Sequence, residues 1–368
     1  MTKTIPPGLE ELISGHVPGA RVLDVTELGP DDASDATATA KGTGHGVPLR
    51  VRLEDADGKP RTLVLHFAAA NPFGHDRRSD RAAEILLAYD TFARIPFHVR
   101  ALDVGALARD GRLLSLRGCG ELWLLTEWAP GHVYADDLRR LAAADAAPAA
   151  RDDLQRAETL ARYLVELHGA HEQEPPAYRR AIRDLLGDGE GIFGIVDAYP
   201  DDVPAAPPAR LRRIEELCLA WRWRLRGRQA RLARTHGDFH PFNAVFDGPD
   251  LTLLDASRGG HGEPADDVVA MAVNFVFFAL CAADPRAAWA RAFGPLWRRF
   301  LTTYLDATGD QELLEVAAPF LAWRGLVLAS PLWYPDLATP ARDTLLSLVE
   351  RALDAPRFDP AFAEELFG

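Results

Sequence analysis

One segment, residues 235–268, constrains the fold of this chain most, because it predicts a hairpin with polar residues at both open ends. Two short apolar runs, around residues 243–246 and 251–254, enclose the turn sequence Asp247-Gly248-Pro249-Asp250. Asn243 begins the first predicted strand and Asp255 ends the second. Since a hairpin brings its two ends together, we expect Asn243 and Asp255 to lie close in space, with Asp238 nearby.

These three side chains are two carboxylates and one amide, and such oxygen-rich sites suit Mg²⁺ rather than zinc. Asn243 follows Asp238 by five residues, and Asp255 lies twelve residues beyond Asn243. The kinase template has the same order of a catalytic Asp, an Asn five residues on, and a metal-binding Asp at a strand end. In that template the first Asp orients the attacking hydroxyl and accepts its proton, while the other two side chains hold magnesium.

A family resemblance rests on three segments, HGDFHPFN, LLDASRG and GEPADDV, which occur in this order. They resemble the HGDxxxxN, strand-end Asp and GDPxxD motifs of the aminoglycoside phosphotransferase and choline-kinase-like family. The resemblance implies a bilobal protein-kinase-like fold, ATP and Mg²⁺ as cofactors, and phosphate transfer to an aminoglycoside-like or other hydroxylated metabolite. It implies Asp238 as the catalytic base and Asn243 and Asp255 as the metal ligands.

Supporting roles at this segment follow from the same resemblance. Asp267 would be the structural acid that supports the catalytic loop, and its spacing from the preceding Gly and Pro favours it over Asp266. His236 is expected to brace the loop through backbone hydrogen bonds rather than to take part in the chemistry. Glu190 lies in a loop-like stretch, DGEGIFG, where the family builds its substrate pocket, and is a guess as a substrate contact.

The order of elements predicts an α+β chain with two lobes. Residues 1–127 are expected to form a β-rich nucleotide-binding lobe, and residues 128–368 a mainly helical lobe with the catalytic loop and substrate pocket. The predicted strands of the first lobe are residues 20–28, 47–53, 61–67 and 122–127, with a helix from Ser79. In the second lobe the pattern predicts helices over residues 152–168 and 209–233, and helices throughout beyond residue 264.

The first lobe departs from the kinase pattern because its third strand has no lysine. Kinases use that lysine to hold the α- and β-phosphates, paired with a glutamate on a helix. His66 stands at the expected position, Glu84 is the candidate partner, and the chain contains only three lysines. Lys41 precedes a Gly-rich stretch with Gly42 and Gly44, whose backbone N–H groups suit phosphate binding. Either Lys41 or His66 is therefore expected to replace the lysine.

The segment Glu127-Trp128-Ala129 is similar to the linker at which the family binds the adenine base through backbone groups. The resemblance therefore implies that these residues contact the nucleotide.

Composition excludes some classes of function. A net charge of −13 argues against a nucleic-acid binder, and three widely spaced cysteines suggest neither disulfides nor a structural zinc site. The first residues show no apolar signal region, and residues 268–283 are too short and too polar for a comfortable membrane span. We expect a cytoplasmic protein with no membrane association, in which residues 268–283 form a buried core helix.

Two alternative functions remain open at this point. His236, Asp238 and His240 alternate in a way that could serve a metal-dependent hydrolase, although Gly237 and Pro241 disfavour a strand. The missing strand lysine leaves room for an ATP-binding pseudokinase or a nucleotidyl-transferring relative. Metal analysis and the mass of the product formed with ATP would separate these readings.

Overall fold

The structure is a computed structural model and describes residues 7–28, 48–71, 74–170, 175–256 and 258–368. The chain divides into two units, Met1–Thr126 and Glu127–Gly368. The described residues of the first unit form small antiparallel sheets and two helices, and the second unit is mainly helical. The predicted α+β class is therefore confirmed.

The first unit is built on a three-stranded antiparallel sheet in the order β1-β2-β3. Its elements are α1 (Leu9–Ser14), β1 (Arg21–Glu27), β2 (Leu49–Glu54), β3 (Pro60–Leu65), α2 (Arg78–Phe92), β4 (Gly105–Leu107) and β5 (Leu113–Ser115). Alternate residues of β1 and β2, including Val25, Val51 and Leu53, face a small core that Leu9 and Ile13 of α1 complete. This alternation is the pattern of a sheet with one face buried.

The predicted strand at residues 122–127 is wrong. The segment has no regular structure, and Trp123 is 85% exposed. No described strand pairs with it, and an apolar run without a partner strand leaves its backbone groups to water. The helix predicted from Ser79 begins one residue earlier, at Arg78, where the Asp80 carboxylate accepts a hydrogen bond from the Arg77 backbone N–H (2.9 Å).

The second unit consists mainly of helices. In chain order they are α3 (Tyr134–Ala142), α4 (Arg151–His168), α5 (Pro175–Gly187), α6 (Ile192–Asp197), α7 (Pro208–Leu225), α8 (Ala265–Leu280), α9 (Pro285–Ala288), α10 (Gly294–Thr308), α11 (Leu313–Val316), α12 (Ala318–Ala329), α13 (Thr339–Asp354) and α14 (Ala361–Glu365). The prediction of a helix over residues 209–233 is wrong at its end. Helix α7 stops at Leu225, just before Gly227, and a short 3₁₀ turn (Gln229–Arg231) follows.

Short strands of the second unit hold the segment that carries the motifs. They are β6 (His132–Val133), β7 (Ala233–Thr235), β8 (Ala244–Asp247), β9 (Asp250–Leu253) and β10 (Gly260–Gly262). The hairpin β8–β9 is the predicted one, β6 pairs with β8, and β7 pairs with β10. Gly131 enters β6 with φ +111°, and a Cβ there would lie 2.2 Å from the Phe246 carbonyl oxygen, so only glycine fits.

Helix α8 is the central core helix that its apolar sequence predicts. Almost all of its side chains are buried, and Asn274 satisfies its amide by donating to the Ala270 carbonyl at 2.7 Å. The first turn of α8 carries Asp266 and Asp267. None of the helices in the described ranges combines the length and apolar character needed to cross a bilayer.

Candidate active site

The loop between β7 and β8, residues 236–243, carries the predicted catalytic residue. Gly237 has φ +82°, and a Cβ there would lie 2.6 Å from the backbone carbonyl carbon of Arg258, so the loop requires glycine at this position. Phe239 is fully buried and stacks on Tyr163 with ring centroids 5.8 Å apart. The loop is therefore anchored to the core by an aromatic side chain, against which the buried His236 ring also packs edge-on at 5.8 Å.

Asp267 lies under this loop and is completely buried. Its two carboxylate oxygens accept hydrogen bonds from the backbone N–H groups of His236 (2.7 Å) and Gly237 (2.8 Å). The His168 ring contacts the same carboxylate at 3.2 Å and is itself 2.8 Å from the Tyr304 hydroxyl. The supporting role of Asp267 stays a prediction, and these contacts favour it because they fix the loop backbone directly before Asp238.

His236 also contacts backbone, as expected of a bracing residue. Its Nδ1 accepts a hydrogen bond from the Asp238 backbone N–H at 3.3 Å. Burial lowers the pKa of His236, although the nearby carboxylates of Asp267 and Asp238 oppose this effect. A neutral ring is consistent with an Nδ1 that accepts a hydrogen bond.

Asp238 has two oxygens in different surroundings. Oδ1 accepts short hydrogen bonds from Arg324 Nη1 (2.6 Å) and Arg258 Nη2 (2.9 Å). Oδ2 has longer contacts, 3.2 Å to Asn243 Nδ2 and 3.3 Å to His240 Nε2. One oxygen is thus held by two guanidinium groups at short distances, and the other has only two longer contacts.

These neighbours control the ionisation of Asp238. Burial alone would raise its pKa, but the hydrogen bond from His240 and the charges of Arg324 and Arg258 outweigh burial and hold the pKa well below its usual range. Asp238 is therefore ionised at neutral pH.

Asn243 and Asp255 lie at the open end of the β8–β9 hairpin. The Leu254 backbone N–H donates to the Asn243 carbonyl at 2.8 Å, which places Asp255 next to this pair of residues. Asn243 Nδ2 donates to the Asp238 backbone carbonyl (3.0 Å), so its Oδ1 points away from that bond. Asp255 follows β9 with the left-handed φ of +43° and is exposed.

The side chains of Asn243 and Asp255 are too few to hold a metal ion without further ligands, but they suit Mg²⁺. Within the described ranges there is no group of three or more His, Cys, Asp or Glu side chains that could hold a metal ion, and this includes the alternating His236, Asp238 and His240. Asn243 and Asp255 supply one amide oxygen and one carboxylate. Mg²⁺ is commonly held by one or two such ligands together with substrate phosphates and water.

Two arginines that the motifs did not single out are central to the site. Arg324 comes from α12, and its Nη2 donates to the Gly237 carbonyl (3.0 Å) and contacts Asp266 (3.3 Å). Arg258 follows the hairpin, and its Nη2 donates to the same carbonyl at 2.9 Å. Arg258 stands inside the motif segment and could have been noticed there, whereas nothing near Arg324 in sequence points to the loop.

Trp323 holds both arginines in place. Each guanidinium carbon lies 3.9 Å from the Trp323 ring centroid, a distance typical of cation–π stacking. The Trp323 indole N–H donates to the Glu190 backbone carbonyl at 2.8 Å. Glu190, the guessed substrate contact, is thereby brought beside the site, with its exposed carboxylate 4.0 Å from Arg258 Nη1.

Asp266 and Asp267 are adjacent but have different surroundings. Burial raises the pKa of Asp266 to about 6, with the Arg324 charge acting in the opposite direction. Asp266 contacts Arg324, whereas Asp267 accepts hydrogen bonds from the loop backbone. The choice of Asp267 over Asp266 as the supporting residue stays a prediction that these contacts favour.

The predicted nucleotide contacts are only partly described. Lys41, Gly42 and Gly44 lie outside the described residues. His66 follows the end of β3 and is exposed. Glu84 in α2 lies beside His75, with 3.5 Å between Oε2 and Nδ1, so a histidine that the sequence did not single out is its neighbour.

The predicted adenine-binding segment begins the second unit. Glu127, Trp128 and Ala129 have irregular backbone, and the Trp128 side chain is exposed. Their proposed backbone contacts to a nucleotide stay a prediction.

Known proteins place the chain in a family. The model of the phosphotransferase enzyme family, APH, matches residues 46–301. No curated protein matches the sequence. Among solved structures, the chain is similar to the amicoumacin kinase hAmiN in complex with AMP-PNP, Ca²⁺ and Ami (15% identity, 91% of this chain and 90% of that chain covered, TM-score 0.40). It is also similar to a glucosamine kinase (16% identity, 99% of this chain and 96% of that chain covered, TM-score 0.35). A third similar structure is aminoglycoside phosphotransferase APH(3'')-Id from Streptomyces rimosus (17% identity, 86% of this chain and 99% of that chain covered, TM-score 0.34).

Proposed function

Because the chain belongs to the phosphotransferase enzyme family, we propose that it moves the γ-phosphate of ATP, with Mg²⁺, to a hydroxyl group of a small molecule. The expected protein-kinase-like fold class and the small-molecule phosphotransferase activity agree with this family. The acceptor would be an aminoglycoside-like compound or another hydroxylated metabolite. The observation that carries the proposal is the ionised carboxylate of Asp238, held by Arg324 on one oxygen and less tightly contacted on the other.

Asp238 would orient the acceptor hydroxyl through Oδ2. Transfer forms a bond between the acceptor oxygen and the γ-phosphorus, breaks the bond to the bridging oxygen, and releases ADP with that electron pair. The hydroxyl proton passes to Asp238 and then to solvent. A carboxylate with a depressed pKa is a weak base, which suits a loose transition state in which the proton leaves late and alignment supplies most of the acceleration.

Asn243 Oδ1 and the Asp255 carboxylate would hold the metal ion. When bound, Mg²⁺ would supply charge neutralisation for the phosphate oxygens. The hydrogen bond from Asn243 Nδ2 to the Asp238 backbone carbonyl joins the two ends of the loop, so the metal ligand and the catalytic residue would move together.

Nucleotide binding by the first unit is part of the proposal. Lys41 or His66 would replace the strand lysine, with Gly42 and Gly44 offering backbone N–H groups to phosphates. Glu84 would orient the side chain, Lys41 or His66, that replaces the lysine. The segment Glu127-Trp128-Ala129 would contact the adenine base. Substituting Lys41 and His66 singly and measuring ATP affinity tests this part, and unchanged affinity in both variants would contradict it.

The test of the function as a whole is product mass after incubation with ATP, Mg²⁺ and a panel of hydroxylated metabolites and antibiotics. A gain of one phosphate on an acceptor supports the proposal. A gain of AMP would indicate nucleotidyl transfer, and nucleotide binding without any product would indicate a pseudokinase. Tight stoichiometric zinc with hydrolysis in the absence of ATP would favour the hydrolase instead.

A further inference from the structure

Arg258 presents unused hydrogen-bonding capacity beside the catalytic carboxylate. Its Nη2 is occupied by Asp238 Oδ1 and the Gly237 carbonyl, both at 2.9 Å. Its Nη1 has only a 4.0 Å contact to Glu190, too long for a hydrogen bond, and its buried Nε has no partner within the described residues. A guanidinium carries five N–H donors, and the two on Nη1 of Arg258 therefore remain open to a ligand, whereas its Nε–H is buried.

The neighbouring Arg324 has a buried Nε without a partner in the described residues, as Arg258 has, but its terminal nitrogens differ. Its two terminal nitrogens bind Asp238, the Gly237 carbonyl and Asp266, and its side chain is only 9% exposed. The Arg258 side chain is 28% exposed. Of these two cations, Arg324 is therefore committed to holding the loop, and Arg258 is the one that an acceptor can reach.

The position of Arg258 limits what it can bind. A hydroxyl poised for attack must lie within hydrogen-bond distance of the Asp238 carboxylate, and that carboxylate is 2.9 Å from Arg258. A group one or two carbons away from the reacting hydroxyl can therefore meet Nη1. Arginine binds carboxylate and phosphate oxygens well. It repels cationic groups and offers their N–H donors no hydrogen-bond acceptor.

We infer that the acceptor carries a carboxylate or a similar oxyanion close to its reacting hydroxyl, and that Arg258 binds this group. The inference rests on the proposed function and narrows its substrate class. An acidic acceptor is repelled by the phosphates of the donor, and a fixed cation beside the hydroxyl offsets this repulsion. Trp323 keeps the guanidinium in place by stacking, with 3.9 Å between the guanidinium carbon and the ring centroid.

Glu190 fits this reading as a competing anion. Its side chain is 75% exposed and is not hydrogen-bonded to Arg258, so an acceptor carboxylate can displace it without breaking a strong ion pair. Removing the Glu190 charge should therefore strengthen the binding of an acidic acceptor. KM for the acidic acceptor should fall only about 2- to 3-fold, because the contact between Glu190 and Arg258 is exposed.

The experiment compares acceptors with one carbon skeleton and different charge, namely gluconate, glucose and glucosamine, and in parallel glycerate, glycerol and 2-amino-1,3-propanediol. Initial rates of ADP formation and product mass are measured for the native protein and for Arg258→Gln, Arg258→Lys and Glu190→Gln. We expect the acidic member of each set to have the highest kcat/KM. In Arg258→Gln kcat should fall for every acceptor because Asp238 loses a hydrogen bond, and KM for the acid should in addition rise about 10- to 100-fold relative to KM for the neutral member, as expected for a lost charged hydrogen bond.

Arg258→Lys keeps the charge and should restore part of the affinity for the acid. A uniform fall of kcat for every acceptor in Arg258→Gln, without a selective rise in KM for the acid, would overturn the inference and assign Arg258 to Asp238 or the transferred phosphoryl group. A native preference for the neutral or amino member would also overturn it while leaving the phosphotransferase intact. No product and no ADP with any of these acceptors or with the wider panel of hydroxylated metabolites and antibiotics would instead remove the proposed function, and the inference with it.

Discussion

Arg324 and Asp238 lie 86 positions apart in the sequence, yet Nη1 of the arginine is 2.6 Å from Oδ1 of the aspartate. The other terminal nitrogen of Arg324 donates to the carbonyl of the preceding residue, Gly237. One side chain from α12 therefore fixes both the backbone and the carboxylate of the loop that we propose as catalytic. A hydrogen bond between charged groups in this setting contributes about 1.5–3 kcal/mol.

Replacing Arg324 tests whether this contact matters for turnover. Arg324→Met should lower kcat about 10- to 100-fold because the Asp238 carboxylate loses the bond that sets its orientation. Arg324→Lys should recover only part of the loss, since lysine cannot serve both the carboxylate and the carbonyl in the same geometry. Steady-state kinetics, with circular dichroism to confirm folding, provide the measurement.

The matched control for Arg324 is Arg298→Met, which removes an exposed arginine paired with Glu364 at 2.6 Å. It should leave kcat unchanged because the pair is remote from the loop and exposed. Equal kcat in Arg324→Met and in the native protein would contradict the positioning role.

Asp267→Asn tests the support beneath the loop. One of its two oxygens becomes an amide N–H₂ that faces a backbone N–H, so the free energy of unfolding should fall by about 1–3 kcal/mol. Hydrogen exchange at the His236 and Gly237 amides should also become faster. Urea denaturation and exchange measured by mass spectrometry check both effects, with the exposed Asp336→Asn as the control. Unchanged exchange at these amides would argue against a supporting role.

A buried ion pair beside the motif segment should be important for stability. Glu263 is 1% exposed and binds Arg231 (2.7 Å) and the Tyr178 hydroxyl (2.9 Å). Arg231→Met leaves this carboxylate buried without its cation and should lower the free energy of unfolding by about 3–5 kcal/mol.

The pH dependence of that loss has a defined sign. Burial already raises the pKa of Glu263, although Arg231 opposes this, and removing Arg231 raises it further. A carboxyl with a raised pKa in the folded state stabilises folding below the unfolded pKa and loses that contribution as pH rises, so Arg231→Met should be more damaging at pH 8 than at pH 5. Adding Glu263→Gln should remove this pH dependence and recover part of the stability. A loss independent of pH would contradict the account.

Asp255 provides the test of metal-supported nucleotide binding. In the native protein, ATP with Mg²⁺ at about 100 times Kd should raise Tm by a few degrees, and chelation of the metal should abolish the shift. Asp255→Ala should show no magnesium-dependent shift, because the carboxylate at the hairpin end is lost. Asp250→Ala, an exposed residue at the turn end of β9, is the control and should behave as the native protein. A normal shift in Asp255→Ala would contradict its assignment as a metal ligand.

The local sequence pattern was enough to predict the β8–β9 hairpin and the positions of the motif residues at its open end. Asn243 is hydrogen-bonded to Asp238 within one loop, and Asp255 follows the hairpin that begins after Asn243, so both relationships follow from local chain geometry. The core helix α8 was likewise evident from its continuous apolar sequence.

Contacts that depend on tertiary packing were not predictable. Nothing in the sequence near Arg324 and Trp323 indicates which face of α12 meets the catalytic loop, because that face is set by the packing of several helices. The strand expected at residues 122–127 failed for a related reason: an apolar run can form a sheet only if a partner strand has a free edge beside it. The end of α7 was overestimated because arginine and alanine favour helix and masked the effect of Gly227.

The most direct test of the central claim, that Asp238 is the catalytic base beside the metal ligands Asn243 and Asp255, is Asp238→Asn. ATP affinity in the presence of Mg²⁺ and single-turnover phosphate transfer should be measured on the same preparation. We predict that the variant binds nucleotide as the native protein does, because Asn243 and Asp255 remain, and that it forms no phosphorylated product. Full transfer by Asp238→Asn would contradict the claim.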